Sequence, residues 1–124
     1  MNTDRHKGLT LASEFRFIRL VRDLAAMRSF YEDIFGWSII DEWDSGVMYN
    51  TGVITFELIR NIQADKPGLS SYISISVPDV WSLFEQLKNK VTIIFPLRDN
   101  SWGDTSFRIS DPDGFLITLF TKTK

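Results

Sequence analysis

The sequence predicts an α+β protein built from two copies of one strand–helix–three-strand unit, βαβββ. Three observations carry this. The order of strand-like and helix-like stretches in residues 14–60 recurs in residues 70–121. Each half holds an amphipathic stretch that opens on an aspartate, Val21-Arg22-Asp23-Leu24 in the first and Val77-Pro78-Asp79-Val80 in the second. The last two strand-like runs are joined by Asp111-Pro112-Asp113-Gly114, a turn with a mechanism: Pro112 presets φ, Asp113 tolerates the bridge or left-handed region, and Gly114 accepts positive φ without a Cβ penalty. Each half alone exposes one sheet face, so each needs the other.

In chain order, residues 1–13 are polar apart from Leu9-Thr10-Leu11 and read as a loosely held lead-in, with the only histidine, His6, as a solvated tail residue. A single domain is expected over 14–124. Its first module, about 14–60, begins with a strand at 15–21, rich in Phe, Ile, Leu and Val. Asp23 caps a helix whose Leu24, Met27, Tyr31 and Ile34 fall on one face of a 3.6-residue period, and Gly36 suits a left-handed stop. Strands follow at 37–43, 46–50 and 53–59, separated by Ser45-Gly46 and Asn50-Thr51-Gly52. Residues 61–69, with Pro67-Gly68, form the linker. The second module, about 70–121, repeats the plan: a strand at 72–77, an Asp79-capped helix carrying Val80, Leu83, Phe84 and Leu87, and strands at 92–96, 105–109 and 115–121.

Composition narrows the chemistry. The chain has 124 residues and 44% hydrophobic content, enough for one core; a domain of this size removes roughly two thirds of its unfolded surface from water. A net charge of −2 with interspersed signs gives no footprint for nucleic acid. The lack of cysteine excludes disulfides, thiol nucleophiles and thiolate metal sites, and fits a reducing cytoplasm. No apolar run approaches the roughly 20 residues of a membrane span, and no apolar signal core is expected at the N-terminus. With the one histidine in the tail no Ser-His-Asp arrangement is available, and the scattered glycines make no phosphate-cradling loop. Asp111 and Asp113 belong to a tight turn and read as structural rather than as a carboxylate pair. Seventeen aromatic residues (ten Phe, four Trp, three Tyr) are the anomaly.

The Asp23-capped helix ending Phe30-Tyr31-x-x-Ile34-Phe35-Gly36-Trp37, the Val77-Pro78-Asp79-Val80 start of the second helix, and Trp102-Gly103 followed by Asp111-Pro112-Asp113-Gly114 together resemble the vicinal oxygen chelate superfamily. It includes glyoxalase I, extradiol dioxygenases, fosfomycin-resistance enzymes and bleomycin-resistance binding proteins. The resemblance implies a curled, cup-shaped mixed sheet made from the two modules, and a homodimer in which modules of two chains complete the cups. It also places four ligand positions of metal-using members on strands lining the cup, at Arg16, Glu57, Tyr72 and Thr118. Arginine cannot ligate a cation, and Tyr and Thr replace His and Glu poorly. The resemblance therefore implies a branch without a metal or other cofactor.

Strand alternation puts Tyr72, Ser74 and Ser76 on one face and Ile73, Ile75 and Val77 on the other, with Leu116, Thr118 and Phe120 sharing a face of the last strand. The resemblance turns Tyr72, Ser74, Thr118 and Phe120 into the cup. Trp37, Trp43, Tyr49 and Trp102 fall near its rim and suit an aromatic binding wall. Arg19 interrupts the apolar run FIRLV and must be paired or reach water, so it is either a buried structural partner or a ligand contact. Glu57 either pairs with Arg16, waits unpaired as a base with raised pKa, or faces solvent on an edge strand; the pairing is the favoured arrangement. The expected ligand-binding set is Arg16, Arg19, Trp43, Tyr49, Glu57, Tyr72, Ser74, Trp102, Thr118 and Phe120, with no metal ligands. The expected function is metal-independent binding of a flat or apolar small molecule, without nucleic-acid or membrane partners. The alternative is a lyase, isomerase or dioxygenase of the same superfamily using Glu57 as base or ligand, and a blander one is a self-filled cup that mediates contacts.

Overall fold

The structure, a computed structural model, describes residues 8–9 and 13–124. The expected lead-in at 1–13, with His6, falls almost wholly outside the described residues. Two βαβββ modules follow. The first comprises β1 (Arg16–Val21), α1 (Leu24–Phe30), β2 (Ser38–Trp43), β3 (Gly46–Asn50) and β4 (Thr55–Arg60); the second comprises β5 (Tyr72–Ser76), α2 (Val80–Leu87), β6 (Thr92–Asn100), β7 (Asp104–Ser110) and β8 (Leu116–Lys122). Each module forms a four-stranded mixed sheet, ordered β1-β4-β3-β2 in the first and β5-β8-β7-β6 in the second. No barrel closes. In each sheet the outer strand before the helix runs parallel to the module's last strand, and the other pairings are antiparallel.

Both helices start where the sequence puts them. Asp23 accepts a hydrogen bond from the Ala26 N–H and Asp79 one from the Ser82 N–H, each satisfying an otherwise orphaned donor of the first turn. The first helix differs from the expected regular α-helix. Its end, Tyr31–Phe35, is a π-turn closed by the Gly36 N–H donating to the Tyr31 carbonyl, with Gly36 left-handed at φ 63°. The wider turn carries Tyr31 and Phe35 into a stack with Trp37. Strand β6 also runs past the expected stop at Pro96. It is an edge strand with register irregularities around Phe95, where a proline without an N–H breaks no ladder bond.

Alternation gives each sheet a helix-bearing face and an open face. The helix-bearing faces of both modules join in one core of Val21, Met27, Tyr31, Tyr49, Phe56, Leu58, Val80, Phe107, Ile109, Ile117 and Leu119, among others. On the open face of the first sheet, Ile18 and Leu20 remain exposed; on that of the second, Tyr72, Ser74 and Ser76 do.

Candidate functional site

The register places the four cup-lining positions as two neighbourhoods. On the open face of the first sheet, Ile18 pairs with Glu57 and Glu57 with Met48, and Arg16 reaches diagonally to Glu57. An Arg16 Nη lies 3.6 Å from Glu57 Oε1, so the expected pairing is present, with Glu57 buried and Arg16 half exposed. Arg16 also pairs with Glu14 at 3.1 Å. Glu57 Oε1 has no hydrogen-bond partner among the described residues, because 3.6 Å is an ion-pair distance and too long for a hydrogen bond.

The open face of the second sheet carries a row that crosses four strands: Ser74 beside Thr118, Thr118 beside Arg108, and Arg108 beside Phe95. Arg108 Nε donates to Thr118 Oγ1 at 2.9 Å, and its guanidinium lies 4.1 Å from the Tyr72 ring centroid and 5.5 Å from that of Phe95. Arg98 also lies over Phe95, 4.8 Å from its centroid. Tyr72 and Thr118, expected as ligand contacts, thus hold an arginine that the sequence reading overlooked. Its signal was available. The turn at Asp111–Gly114 sets the hairpin register, and counting back from it puts Arg108 opposite Thr118 on the polar face of β7.

Ser74 and Phe120 also line a cavity of about 520 Å³ that wraps the free edge of β5. Its walls are aromatic and aliphatic: Phe17, Trp37, Phe56, Val53, Ile54, Ile73 and Ile75. Phe17 and Phe56 stack at 5.7 Å, and Trp37 meets Phe56 at 5.2 Å. Trp37 is thus the tryptophan that contributes to the wall.

Other expected contacts are engaged elsewhere. Tyr49 points to the helix-bearing face, fully buried, and its hydroxyl donates to Glu32 Oε2 at 2.6 Å. It alternates with Met48, so it cannot share the open face with Glu57. Burial, then the Glu32 carboxylate, pushes the Tyr49 phenol above its ordinary value. Burial alone would raise the Glu32 carboxyl, but hydrogen bonds from Tyr49 and Arg28 and the Arg28 charge outweigh it, and the net shift is downward. Arg19 is 6% exposed on the helix-bearing face, bonded to Asp111 and 3.5 Å from Asp113, with its guanidinium 4.6 Å from the Phe115 centroid. Of the two readings of Arg19, this geometry is the structural pair. Trp43 lies over Gly46 at the end of the first sheet, and Trp102 is exposed in the β6–β7 turn, donating to Asp104 at 3.0 Å.

The donor set does not fit a bound divalent ion. A cation beside Glu57 would meet the Arg16 guanidinium, and Thr118 Oγ1 is taken by Arg108. Among the described residues no three His, Cys, Asp or Glu side chains converge.

Two mixed sheets of order 1-4-3-2, each with one helix, define the class of fold. A sequence model of the Glyoxalase/Bleomycin resistance protein/Dioxygenase superfamily matches residues 15–119, and the chain belongs to that family. No protein of curated function matches the sequence. Among solved structures it is similar to a protein of unknown function from Agrobacterium tumefaciens str. C58, with 26% identity and a TM-score of 0.76 over 91% of this chain and 97% of that one. It shares its fold with TioX from Micromonospora sp. ML1, at 17% identity and a TM-score of 0.73, covering 90% of this chain and 99% of the other. It shares it likewise with FosX, a genomically encoded fosfomycin resistance protein of Listeria monocytogenes, at 19% identity and a TM-score of 0.74, covering 94% and 96%. Among the described residues no helix is long and apolar enough to cross a membrane.

Proposed function

We propose that this protein is a metal-independent small-molecule-binding protein that holds a flat or apolar ligand against aromatic walls. The observation that carries the reading is the cavity of about 520 Å³ bounded by Phe17, Trp37, Phe56 and Phe120, the size and lining of a site for a drug-sized molecule. The ion pair at Arg16 and Glu57 supports metal independence, since it occupies ligand positions with a fixed cation. An antibiotic is the kind of ligand this reading favours, and FosX, a resistance protein of the same fold, supports it.

The reading includes a cytoplasmic homodimer. Ile18, Leu20 and Trp43 on the first sheet and Tyr72 and Phe95 on the second leave apolar surface on both open faces. A two-fold arrangement in which the first sheet of one chain faces the second sheet of another makes both faces walls of a shared cup, with one self-complementary interface around it. Light scattering should give twice the 14.3 kDa chain mass.

A thermal-shift screen of small aromatics and antibiotics, with Zn²⁺, Ni²⁺ and Fe²⁺ as further arms, tests the function. A ligand specific to the folded state raises the melting temperature by mass action. Saturable shifts are expected from flat organic compounds, lost in Ser74→Trp, which fills the cavity mouth, and absent with the ions. A shift with any of the ions at low micromolar concentration, lost in Glu57→Ala, would refute metal independence. The alternative, a superfamily lyase, isomerase or dioxygenase using Glu57 as base, is favoured by one observation, the unpartnered Glu57 Oε1. Turnover of a bound compound that Glu57→Gln abolishes would establish it instead.

A further inference from the structure

Arg108 sits on an inner strand of the second sheet, half buried, and its only hydrogen bond among the described residues is to Thr118. None of the ion pairs among the described residues includes Arg108 or Arg98. Yet the two guanidinium groups lie 5.5 and 4.8 Å from one ring centroid, that of Phe95, so like charges are gathered without a counter-ion. The carboxylates nearby are committed. Asp104 accepts from Asn100 and Trp102, and Asp99, which accepts from Thr105, alternates to the other face. A Glu57 from a second copy cannot serve, because it is 5% exposed and lies under its own Arg16.

The arrangement is built for an anion. Nε is spent on Thr118, which fixes the plane of the guanidinium, and the Tyr72 and Phe95 rings hold it by cation–π contact. Both Nη groups are left to donate as a fork, the geometry that matches a carboxylate. The position connects to the cavity. Ser74, at the cavity mouth, is in the same cross-strand row as Arg108, two strands away and so roughly 10 Å between backbones. The guanidinium reaches back over Thr118 to Tyr72, on the strand that borders the cavity.

We propose that Arg108, positioned by Thr118, Tyr72 and Phe95 and assisted by Arg98, binds the carboxylate of a flat ligand whose ring system lies in the aromatic cavity. This rests on the small-molecule-binding reading above and names the class of ligand: planar aromatic acids.

Calorimetric titration with naphthoate and indole carboxylate, each beside its neutral primary amide, tests it. The wild-type protein is expected to bind each acid about tenfold or more tighter than its amide, the size of a charge-assisted hydrogen bond. Arg108→Met should erase that preference by weakening the acids far more than the amides, whose carbonyl loses only a neutral hydrogen bond, and Arg108→Lys, which keeps the charge and loses the fork, should retain part of it. Added salt should weaken the acids and spare the amides. That measurement and the exposed Arg98→Met variant, expected to trim the preference, carry the test even where Arg108→Met fails to fold. Equal binding of acid and amide by the wild type overturns the anion site and leaves the flat-ligand reading standing. Failure of both members of both pairs to bind overturns the two together.

Discussion

The seam between the modules and the open face of the second sheet each hold an arginine against aromatic rings, and they treat its charge in opposite ways. At the seam, Arg19 lies over Phe115 and is answered at once by Asp111, itself fully buried in its side chain, with Asp113 behind it and the Tyr31 hydroxyl donating to the same Asp111 oxygen at 2.9 Å. Asp111 Oδ1 meanwhile accepts from the N–H groups of Asp113 and Phe115. On the open face, Arg108 lies over Tyr72 with a hydroxyl partner and, among the described residues, no carboxylate. The backbone plan is repeated, but only one arginine is neutralised from within. A charge whose counter-ion comes from the chain is there for folding. On the proposal above, a charge left unanswered is there for something that arrives.

The largest expected effect tests the seam. Asp111→Ala strips a buried guanidinium of its partner and two backbone donors of their acceptor, and is expected to cost about 3–5 kcal/mol in urea unfolding. The double variant Arg19→Met with Asp111→Leu should be more stable than Asp111→Ala, because no charge is then stranded. Arg108→Met should change stability by about 1 kcal/mol or less, since its lost contacts are half solvated. If the losses at Asp111 and Arg108 were alike, the division into folding charge and binding charge would fall.

A middle-sized effect comes from the phenols. Tyr31 is held above its ordinary value by burial first and by Asp111 second, and Tyr49 by burial and then Glu32. A raised folded-state value means the proton is bound more tightly in the native protein. The contribution to stability is therefore complete below the ordinary phenol value of 10.0 and is lost as pH rises beyond it. Stability measured by denaturant should fall above about pH 10, and Tyr31→Phe should blunt that fall while costing about 1–2 kcal/mol at neutral pH. Both phenols sit in the first module, so an alkaline limb unchanged in Tyr31→Phe would place the loss elsewhere.

Much of the fold was legible because it is written in local rules. Asp23 and Asp79 announce helix starts, Gly36 and Gly114 take the positive φ that their turns require, and the repeat follows from their spacing. The site was legible only in part. Alternation in β5 and β8 turned Ser74 and Phe120 to one face, where both line the cavity, but the same rule was not carried to β3 and β7. Applied there, it turns Tyr49 inward and Arg108 outward. The Arg19–Asp111 pair joins residues 92 positions apart, and no spacing in the chain announces a contact between modules. The cavity walls Phe17 and Phe56 belong to the helix-bearing face, and they border the cavity only because the two sheets meet at the β5 edge.

The smallest expected effect concerns Arg16 and Glu57, which fall between the two arginines of the comparison. Here a carboxylate is present and buried, but its cation is 46% exposed, stands 3.6 Å away, and is shared with Glu14. Solvent at Arg16 screens the attraction, so the coupling should resemble that of a surface pair, below about 1 kcal/mol. Glu57→Gln keeps the shape of the side chain and removes a charge that is only loosely answered, so its loss should be modest, far less than that of Asp111→Ala. Arg16→Met leaves Glu57 buried without its cation and should lose more than Glu57→Gln. The double variant should then lose less than the sum of the two, by the coupling energy. Additive losses would show that the contact does no energetic work and that Glu57 stands as a lone carboxylate, which is the condition the base reading needs. Coupling of about 3 kcal/mol or more would instead put this pair with Arg19 and Asp111, and make the open face of the first sheet a structural surface rather than a wall of the site.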